Sequence, residues 1–271
     1  MVIGSPISHS LSPLMHNSAL KYYGYKAAYF AIDLRENELS EFASWMNRDS
    51  FRGCNITIPY KRIMMEMVDQ IDPSAKEIGA INTVVKKNSK LVGFNTDSIG
   101  FKKPLQNFTD NIDGGTALIF GTGGASNAVV QALRQMNCEE IILISRRPAA
   151  KPAAEIFEGC KVAGYDQWTA YAEEASLIVN ATPLGMHPDI DSSPVREGEE
   201  LHMSSSLCYD LVYKPEMTKF LRQAESVGTE TIGGLEMLIH QGSESFRLWT
   251  GQPFPIPFIK RQIQIETTKK A

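Results

Sequence analysis

The run from Thr116 to Met136 limits the fold more than any other stretch. Ala117-Leu118-Ile119-Phe120 is apolar throughout and has the length of a strand, and Gly121-Thr122-Gly123-Gly124-Ala125-Ser126 follows directly. Val129, Val130, Leu133 and Met136 then recur at helical spacing. Strand, glycine turn and helix in that order predict an α/β unit whose turn meets a dinucleotide. The glycines permit the tight turn and let the backbone N–H groups of Gly121, Gly123, Gly124 and Ala125 reach a pyrophosphate at the helix start. The spacing departs from GxGxxG, because position 126 is Ser.

The next strand, Ile141 to Ile144, runs into Ser145-Arg146-Arg147, with Lys151 nearby. A site for NAD usually carries Asp or Glu there, to bond the ribose hydroxyls. A carboxylate repels a 2′-phosphate, whereas guanidinium groups pair with one, so this strand end predicts NADP. Further strands are expected at Leu177–Asn180, Leu207–Val212 and Thr229–Ile232. Helices are expected from Glu216 to Ser226, closed by Gly228, and from Leu235 to Gly251, where Met and aromatic residues serve the core.

The amino-terminal third has a different chemistry. A short strand at Met1–Ile3 precedes Ser12-Pro13, read as N-cap and first helical residue, with Gly24 closing that helix. Ala27–Ile32 reads as a strand, followed by a helix through Trp45. Cys54, Ile56 and Ile58 then alternate with Asn55 and Thr57, the pattern of a pleated strand, until Pro59 ends it. Lys61 follows at an expected helix entrance. An amine at the carboxyl end of a buried strand is placed to meet a small ligand. Asn88-Ser89 reads as a hairpin turn into a strand at Leu91–Asn95. Asn82 and Asp97 each lie near a glycine beside an apolar run. With Ser10 and Ser12 they complete a set of hydroxyl, amide, carboxylate and amine groups, which suits holding a small polyhydroxylated acid and moving a proton on it. His9 and His16 lack a third ligand nearby, so structural roles and no metal are expected.

Composition narrows the function classes. The 271 residues suit one large domain or two smaller ones. At 43% hydrophobic and 21% charged, the chain can bury a core. A net charge of −4 leaves no electrostatic footprint for nucleic acid. No apolar run is long enough to cross a bilayer, and Met1 opens no signal-peptide pattern. Cys54, Cys138, Cys160 and Cys208 are scattered, and read as reduced thiols of a cytoplasmic protein.

Several blocks occur in a recognisable order: Ser8-His9-Ser10-Leu11-Ser12-Pro13, Asn55 to Lys61, Gly79 to Thr83, Asn95-Thr96-Asp97, Gly121 to Ala125, Asn180 to Met186, and Gln241-Gly242. Through them nearly the whole chain resembles the shikimate dehydrogenases of the shikimate/quinate dehydrogenase family. The resemblance implies two α/β domains with a cleft between them. Residues 1–98 and 236–271 would form the substrate domain, with the C-terminal helices returning to it, and residues 99–235 a Rossmann-like NADP domain. The implied reaction is the reversible reduction of 3-dehydroshikimate to shikimate by NADPH, a step of aromatic amino-acid synthesis.

Residue by residue, the resemblance makes Lys61 and Asp97 the proton-transfer pair. Ser10 and Ser12 would take the substrate carboxylate, and Asn55, Thr57, Asn82 and Gln241 its ring hydroxyls, with Tyr213 near the substrate. The glycine turn, Ser145, Arg146, Arg147, Thr182, Leu211, Gly234 and Met237 would border the cofactor. The chain departs from the family at Thr122, where Ala is more usual, at Ser145 and Arg147, which flank Arg146 in place of Asn and Thr, and at Lys214, where Asn is usual. Family members begin a few residues earlier, which points to a trimmed start; the resemblance also admits a homodimer. Three alternatives share features with it. An NAD-linked quinate/shikimate paralogue is disfavoured by the arginines, a non-catalytic sensor by the presence of both Lys61 and Asp97, and a folate-linked dehydrogenase by the Ser10/Ser12 and Asn95–Asp97 blocks.

Overall fold

The computed structural model describes residues 1–149 and 155–270, so Lys151 lies outside the described residues. The chain divides into two compact units, Met1–Thr96 with Ile239–Ala271, and Asp97–Leu238. Each unit is built on one six-stranded sheet among the described residues, which gives the α/β class expected.

The first unit holds β1 (Val2–Gly4), β2 (Ala31–Asp33), β3 (Gly53–Ile56), β4 (Gln70–Ile71), β5 (Thr83–Lys87) and β6 (Lys90–Phe94), in the order β2-β1-β3-β5-β6-β4. β1 pairs in parallel with β2 and β3, whereas β5 runs antiparallel to both β3 and β6. The β5–β6 turn is the expected hairpin: Asn88 and Ser89 have φ of 49° and 62°, as a two-residue type I′ connection requires. β3 departs from the alternation read in its sequence. Cys54, Asn55 and Ile56 are all buried, and the strand ends at Ile56. The chain then leaves the ladder in a turn closed by the Tyr60 N–H to the Thr57 carbonyl, and Ile58 is left 72% exposed. Lys61 accordingly enters a turn, with a short 3₁₀ segment from Ile63 to Met67, and no α-helix. Two other expectations shift. Ser12 is the first residue of the helix Ser12–Tyr22 and not its cap, Leu11 taking that place. The second strand begins only at Ala31.

The second unit holds β7 (Thr116–Phe120), β8 (Glu140–Ser145), β9 (Lys161–Gly164), β10 (Ala175–Asn180), β11 (Leu207–Asp210) and β12 (Thr231–Ile232). Their order is β12-β11-β10-β7-β8-β9, parallel throughout. This is the doubly wound arrangement, with its switch point between β7 and β10. The sheet is apolar on both faces. Ala117, Ile119, Leu143, Leu177 and Val179 join one core, and Leu118, Phe120, Ile142, Ile144 and Ile178 the other. The helix Gly124–Gln135 lays Val129, Val130 and Leu133 on the first of these cores. The helix expected from Glu216 begins at Lys219, because the Thr218 hydroxyl accepts the Leu221 N–H and caps it there.

The helices Gly234–Thr250 and Ile256–Lys270 close the chain. The first carries the boundary between the units, after Leu238. Beyond it, Trp249 reaches the first unit's sheet and donates its indole N–H to the Val84 carbonyl at 2.9 Å. The approach depends on Gly53, since a Cβ there would lie 2.1 Å from the indole nitrogen. Among the described residues no helix is long and apolar enough to cross a membrane, and no group of three His, Cys, Asp or Glu is placed to hold a metal ion.

Candidate active site

In the first unit, Lys61 is positioned by a loop pinned at several points. Thr57 N–H bonds the Ile3 carbonyl at 2.9 Å, Ser5 N–H bonds the Ile58 carbonyl at 3.0 Å, and the Lys61 carbonyl accepts the Ile81 N–H at 2.9 Å. The buried Tyr60 donates its hydroxyl to the Leu34 carbonyl. A flexible side chain therefore starts from a fixed Cα, next to the residue that precedes Asn82.

Asn82 joins the strands around it. Its carbonyl accepts the Ile56 N–H at 2.8 Å, and its own N–H bonds the Phe94 carbonyl at 2.9 Å. Its side-chain Oδ1 accepts the Thr96 N–H and the Thr83 hydroxyl, both at 2.9 Å, while Nδ2 donates to Thr96 Oγ1 at 2.9 Å. Thr96 is the last residue of the first unit, and Asp97, buried, opens the helix Asp97–Lys102 of the second.

Asn55 is engaged at both ends of its amide. Oδ1 accepts the Tyr29 hydroxyl at 2.6 Å, and Nδ2 faces the Asn82 carbonyl at 3.2 Å, Thr83 Oγ1 at 3.0 Å and Ser245 Oγ at 2.9 Å. Tyr29 is itself held by His16, whose ring stacks on it with centroids 4.1 Å apart and planes 8° apart. Phe254 and Trp249 close around the same imidazole. Burial pushes the His16 pKa well below its ordinary value, so the ring is a neutral aromatic slab, the structural role expected for it. Ser10 Oγ accepts the Ser12 N–H at 3.2 Å at the start of the helix Ser12–Tyr22. Thr57 and Gln241 are half-buried, Gln241 on the helix that also carries Ser245.

The first unit thus holds Ser10, Ser12, Asn55, Thr57, Lys61, Asn82 and Gln241, whereas Asp97 and Tyr213 belong to the second. Tyr213 is half-buried three residues past β11, and burial raises its pKa. Tyr29, Thr83 and Ser245 were not legible as site residues. Ser245 carries one faint signal: it lies four residues beyond Gln241 on one helix, and donates to the Gln241 carbonyl at 3.1 Å.

The residues expected at the cofactor gather at the carboxyl ends of the second unit's strands. Gly121 follows β7 with φ +107°, a conformation that side chains rarely adopt. A Cβ on it would lie 3.1 Å from Thr182 Cγ2, so the glycine turn and the Thr182 loop adjoin at the switch point. Gly123 and Gly124 are exposed, and added Cβ atoms there would meet open space. The helix they open has no acidic residue in its first turn, so free N–H groups and the positive end of the dipole suit a pyrophosphate. The irregular Ser126 has a use: it is buried and donates its hydroxyl to the Gly121 carbonyl at 2.9 Å, bracing the turn.

Ser145 ends β8 and accepts the Arg147 N–H at 3.1 Å, while Arg146 and Arg147 are exposed. Leu211 follows β11, and Gly234 packs so closely on it that a Cβ would be 2.4 Å from the Leu211 carbonyl oxygen. Leu211 and Met237 are half-buried against the core of this unit. Thr182 is held by Asn180, whose Oδ1 accepts its hydroxyl at 2.6 Å. A dinucleotide with a phosphorylated ribose fits this donor set, which offers open amides at the helix start and guanidinium groups where a carboxylate would otherwise stand.

Comparison with known proteins points the same way. The family pattern described as shikimate dehydrogenase substrate binding domain matches residues 2–84. That described as shikimate 5'-dehydrogenase C-terminal domain matches residues 234–264. The shikimate dehydrogenase (NADP(+)) of Pyrococcus abyssi is 37% identical, over 99% of this chain and 98% of its own. The structure of shikimate 5-dehydrogenase from Thermus thermophilus in complex with NADP(H) and shikimate superposes with a TM-score of 0.85 at 37% identity, covering 97% of each chain. The Listeria monocytogenes enzyme in complex with shikimate and NAD gives 0.86 at 30% identity, over 97% of this chain and 94% of that one. With likeness at this level along almost its whole length, the chain belongs to the shikimate dehydrogenase family.

Proposed function

We propose that the protein catalyses the reversible reduction of 3-dehydroshikimate to shikimate with NADPH. The observation that carries this reading is the 37% identity, over 99% of the chain, to an NADP(+)-dependent shikimate dehydrogenase. The open glycine turn and the arginines after β8 support the choice of cofactor. When bound, NADPH supplies the hydride to the ring carbonyl carbon. The protein's own residues manage the oxygen and the remaining polar groups.

In this reading Lys61 gives its proton to the carbonyl oxygen as that oxygen becomes a hydroxyl, and takes it back in the reverse direction. Asp97 supplies the negative charge that orients the amine. Ser10 and Ser12 take the carboxylate at the start of the helix Ser12–Tyr22, where N–H groups and the dipole stabilise an anion. Asn55, Thr57, Asn82 and Gln241 hold the ring hydroxyls, with Tyr213 near the substrate. Residues 1–98 and 236–271 serve the substrate, and residues 99–235 the cofactor through Gly121, Gly123, Gly124, Ala125, Ser145, Arg146, Arg147, Thr182, Leu211, Gly234 and Met237. A cytoplasmic location agrees with the free cysteines, and cell fractionation checks it. The reading also includes a homodimer, which sedimentation in solution checks.

The deciding experiment follows reduced-nicotinamide absorbance with the purified protein. Absorbance should fall with 3-dehydroshikimate and NADPH, and fall more slowly with NADH or with 3-dehydroquinate. No loss with the first pair, under conditions in which the protein is folded, overturns the reading.

A further inference from the structure

A buried carboxylate ties together the ends of two neighbouring strands in the second unit. Asp210 ends β11 beside Asn180 at the end of β10, and the two are partners in the parallel ladder. Both are completely buried, as is Thr218. Two backbone contacts fix the Asn180 amide: the Thr182 N–H meets Oδ1 at 3.1 Å, and Nδ2 meets the Leu184 carbonyl at 3.1 Å. An N–H needs an acceptor and a carbonyl a donor, so the amide has one orientation. Nδ2 gives its second proton to Asp210 Oδ1 at 3.0 Å. The same oxygen accepts the Val212 N–H at 2.9 Å, and Asp210 Oδ2 accepts the Thr218 hydroxyl at 2.6 Å. The Thr182 hydroxyl donates to Asn180 Oδ1 at 2.6 Å and accepts the Leu184 N–H at 3.2 Å. Every donor and acceptor of the Asn180 side chain is thereby engaged.

We infer that Asn180 and Asp210 are positioning residues for the cofactor, which turn the Thr182 hydroxyl inward and set its methyl group over the glycine turn. This inference rests on the reading that Thr182 borders the dinucleotide. Cγ2 of Thr182 is the atom nearest to where a Cβ on Gly121 would lie, at 3.1 Å. The hydroxyl proton is spent on Asn180, so Thr182 has none to give a phosphate oxygen. Thr182 accordingly meets the dinucleotide through its methyl group, and the phosphates are left to the amides of the glycine turn. Asn180 acts through Thr182, and Asp210 through Asn180. A buried N–H without an acceptor is costly, which accounts for a carboxylate at position 210: it takes the one Asn180 proton that the Leu184 carbonyl leaves over.

Isothermal titration with NADP+ alone reads the effect without turnover. Asn180→Ala is expected to raise Kd for NADP+ by about tenfold, the equivalent of one well-made hydrogen bond to a buried group. KM for shikimate should stay within about twofold of the wild-type value, which a general loosening of the structure would not give. Thr182→Val keeps a methyl group over the turn but loses the tie to Asn180, so it should weaken NADP+ in the same direction. Added to Asn180→Ala it should change Kd by less than about twofold, since the hydroxyl then has no partner left to lose. Asp210→Ala should copy Asn180→Ala, whereas Asp210→Asn, whose oxygen can still accept from Asn180 and Val212, should keep most of the affinity. If Asp210→Ala fails to fold, the Asn180 and Thr182 variants still decide. A change in Kd of less than about twofold in both Asn180→Ala and Thr182→Val overturns the inference. So does a double variant more than about twofold weaker than Asn180→Ala, the result of a hydroxyl that bonds the cofactor directly, and so does an equal rise in KM for shikimate. The wild-type protein is the control for the reading beneath it: absence of NADP+ binding there overturns the cofactor assignment, whereas normal wild-type binding with unaffected variants overturns only the positioning role.

Discussion

At the scale of single residues, Lys61 bears the heaviest chemical assignment. Its backbone is anchored through the Ile81 N–H and the turn that begins at Thr57, so replacing the ammonium alone disturbs little else. Lys61→Met keeps the methylene stem and removes the titrating group. Turnover should fall by about 10²–10⁴-fold, the usual worth of general acid–base catalysis, with KM for both ligands changed far less. Steady-state kinetics in the oxidation direction read this, and turnover near the wild-type level would remove Lys61 from proton transfer. Lys61, Asn82 and Asp97 could be proposed from the sequence because each sits in a short block whose chemistry is local. The residues that hold Asn55 could not. Tyr29, Thr83 and Ser245 reach Asn55 across 26, 28 and 190 positions of chain. A buried hydroxyl has no periodicity of its own, so only the folded contacts reveal it.

At the scale of elements, the sequence was readable where local chemistry and tertiary packing agree. The β7–turn–helix unit and the Asn88-Ser89 hairpin are such places. It misled at the end of β3, where the alternation suggested a strand running up to Pro59 although the ladder ends at Ile56. The two-residue strand β4 is defined by ladder bonds rather than by composition, which leaves little for a sequence pattern to catch. The return of the C-terminal helices was expected from the resemblance, but the contact that seats Trp249 was hidden, because it depends on an absence of side chain at Gly53. A Cβ there would meet the Trp249 indole at 2.1 Å and the Val84 carbonyl at 2.5 Å, the two partners of one hydrogen bond. Gly53→Ala therefore has to displace the helix and break that bond together. A loss of about 2–4 kcal/mol is expected from overpacking plus an unsatisfied carbonyl, measured by denaturant unfolding. A loss below about 0.5 kcal/mol, the range of an ordinary surface change, would mean that the helix can shift without cost.

At the scale of the whole molecule, stability against pH depends on carboxyl groups whose surroundings differ. Glu38 is half-buried and drawn down to about 2, first by its side-chain hydrogen bond from Arg35. Glu200 is lowered chiefly by the Gln223 amide. Such groups favour the folded state above their unfolded pKa, and that benefit fades on acidification. Asp210 works in the opposite direction. It is completely buried at the end of β11, and burial pushes its pKa from 3.8 up to about 6 despite hydrogen bonds from Thr218, Val212 and Asn180. Between those two values the folded chain holds a proton that the unfolded chain has released, so this group's contribution falls as pH rises and is gone above about 6. A displacement of that size corresponds to about 3 kcal/mol across the window. Asp210→Asn keeps the size of the side chain, and Thr218 can reverse its hydroxyl to accept from the new NH₂ group. The difference in stability between variant and wild type should therefore grow in the variant's favour from pH 4 to pH 6 and level off beyond it. Glu38 and Glu200 cancel in that difference. Calorimetry of both proteins at matched pH values makes the comparison, and a difference that stays constant from pH 4 to pH 7 would mean that Asp210 is ionised throughout, its three donors having outweighed its burial.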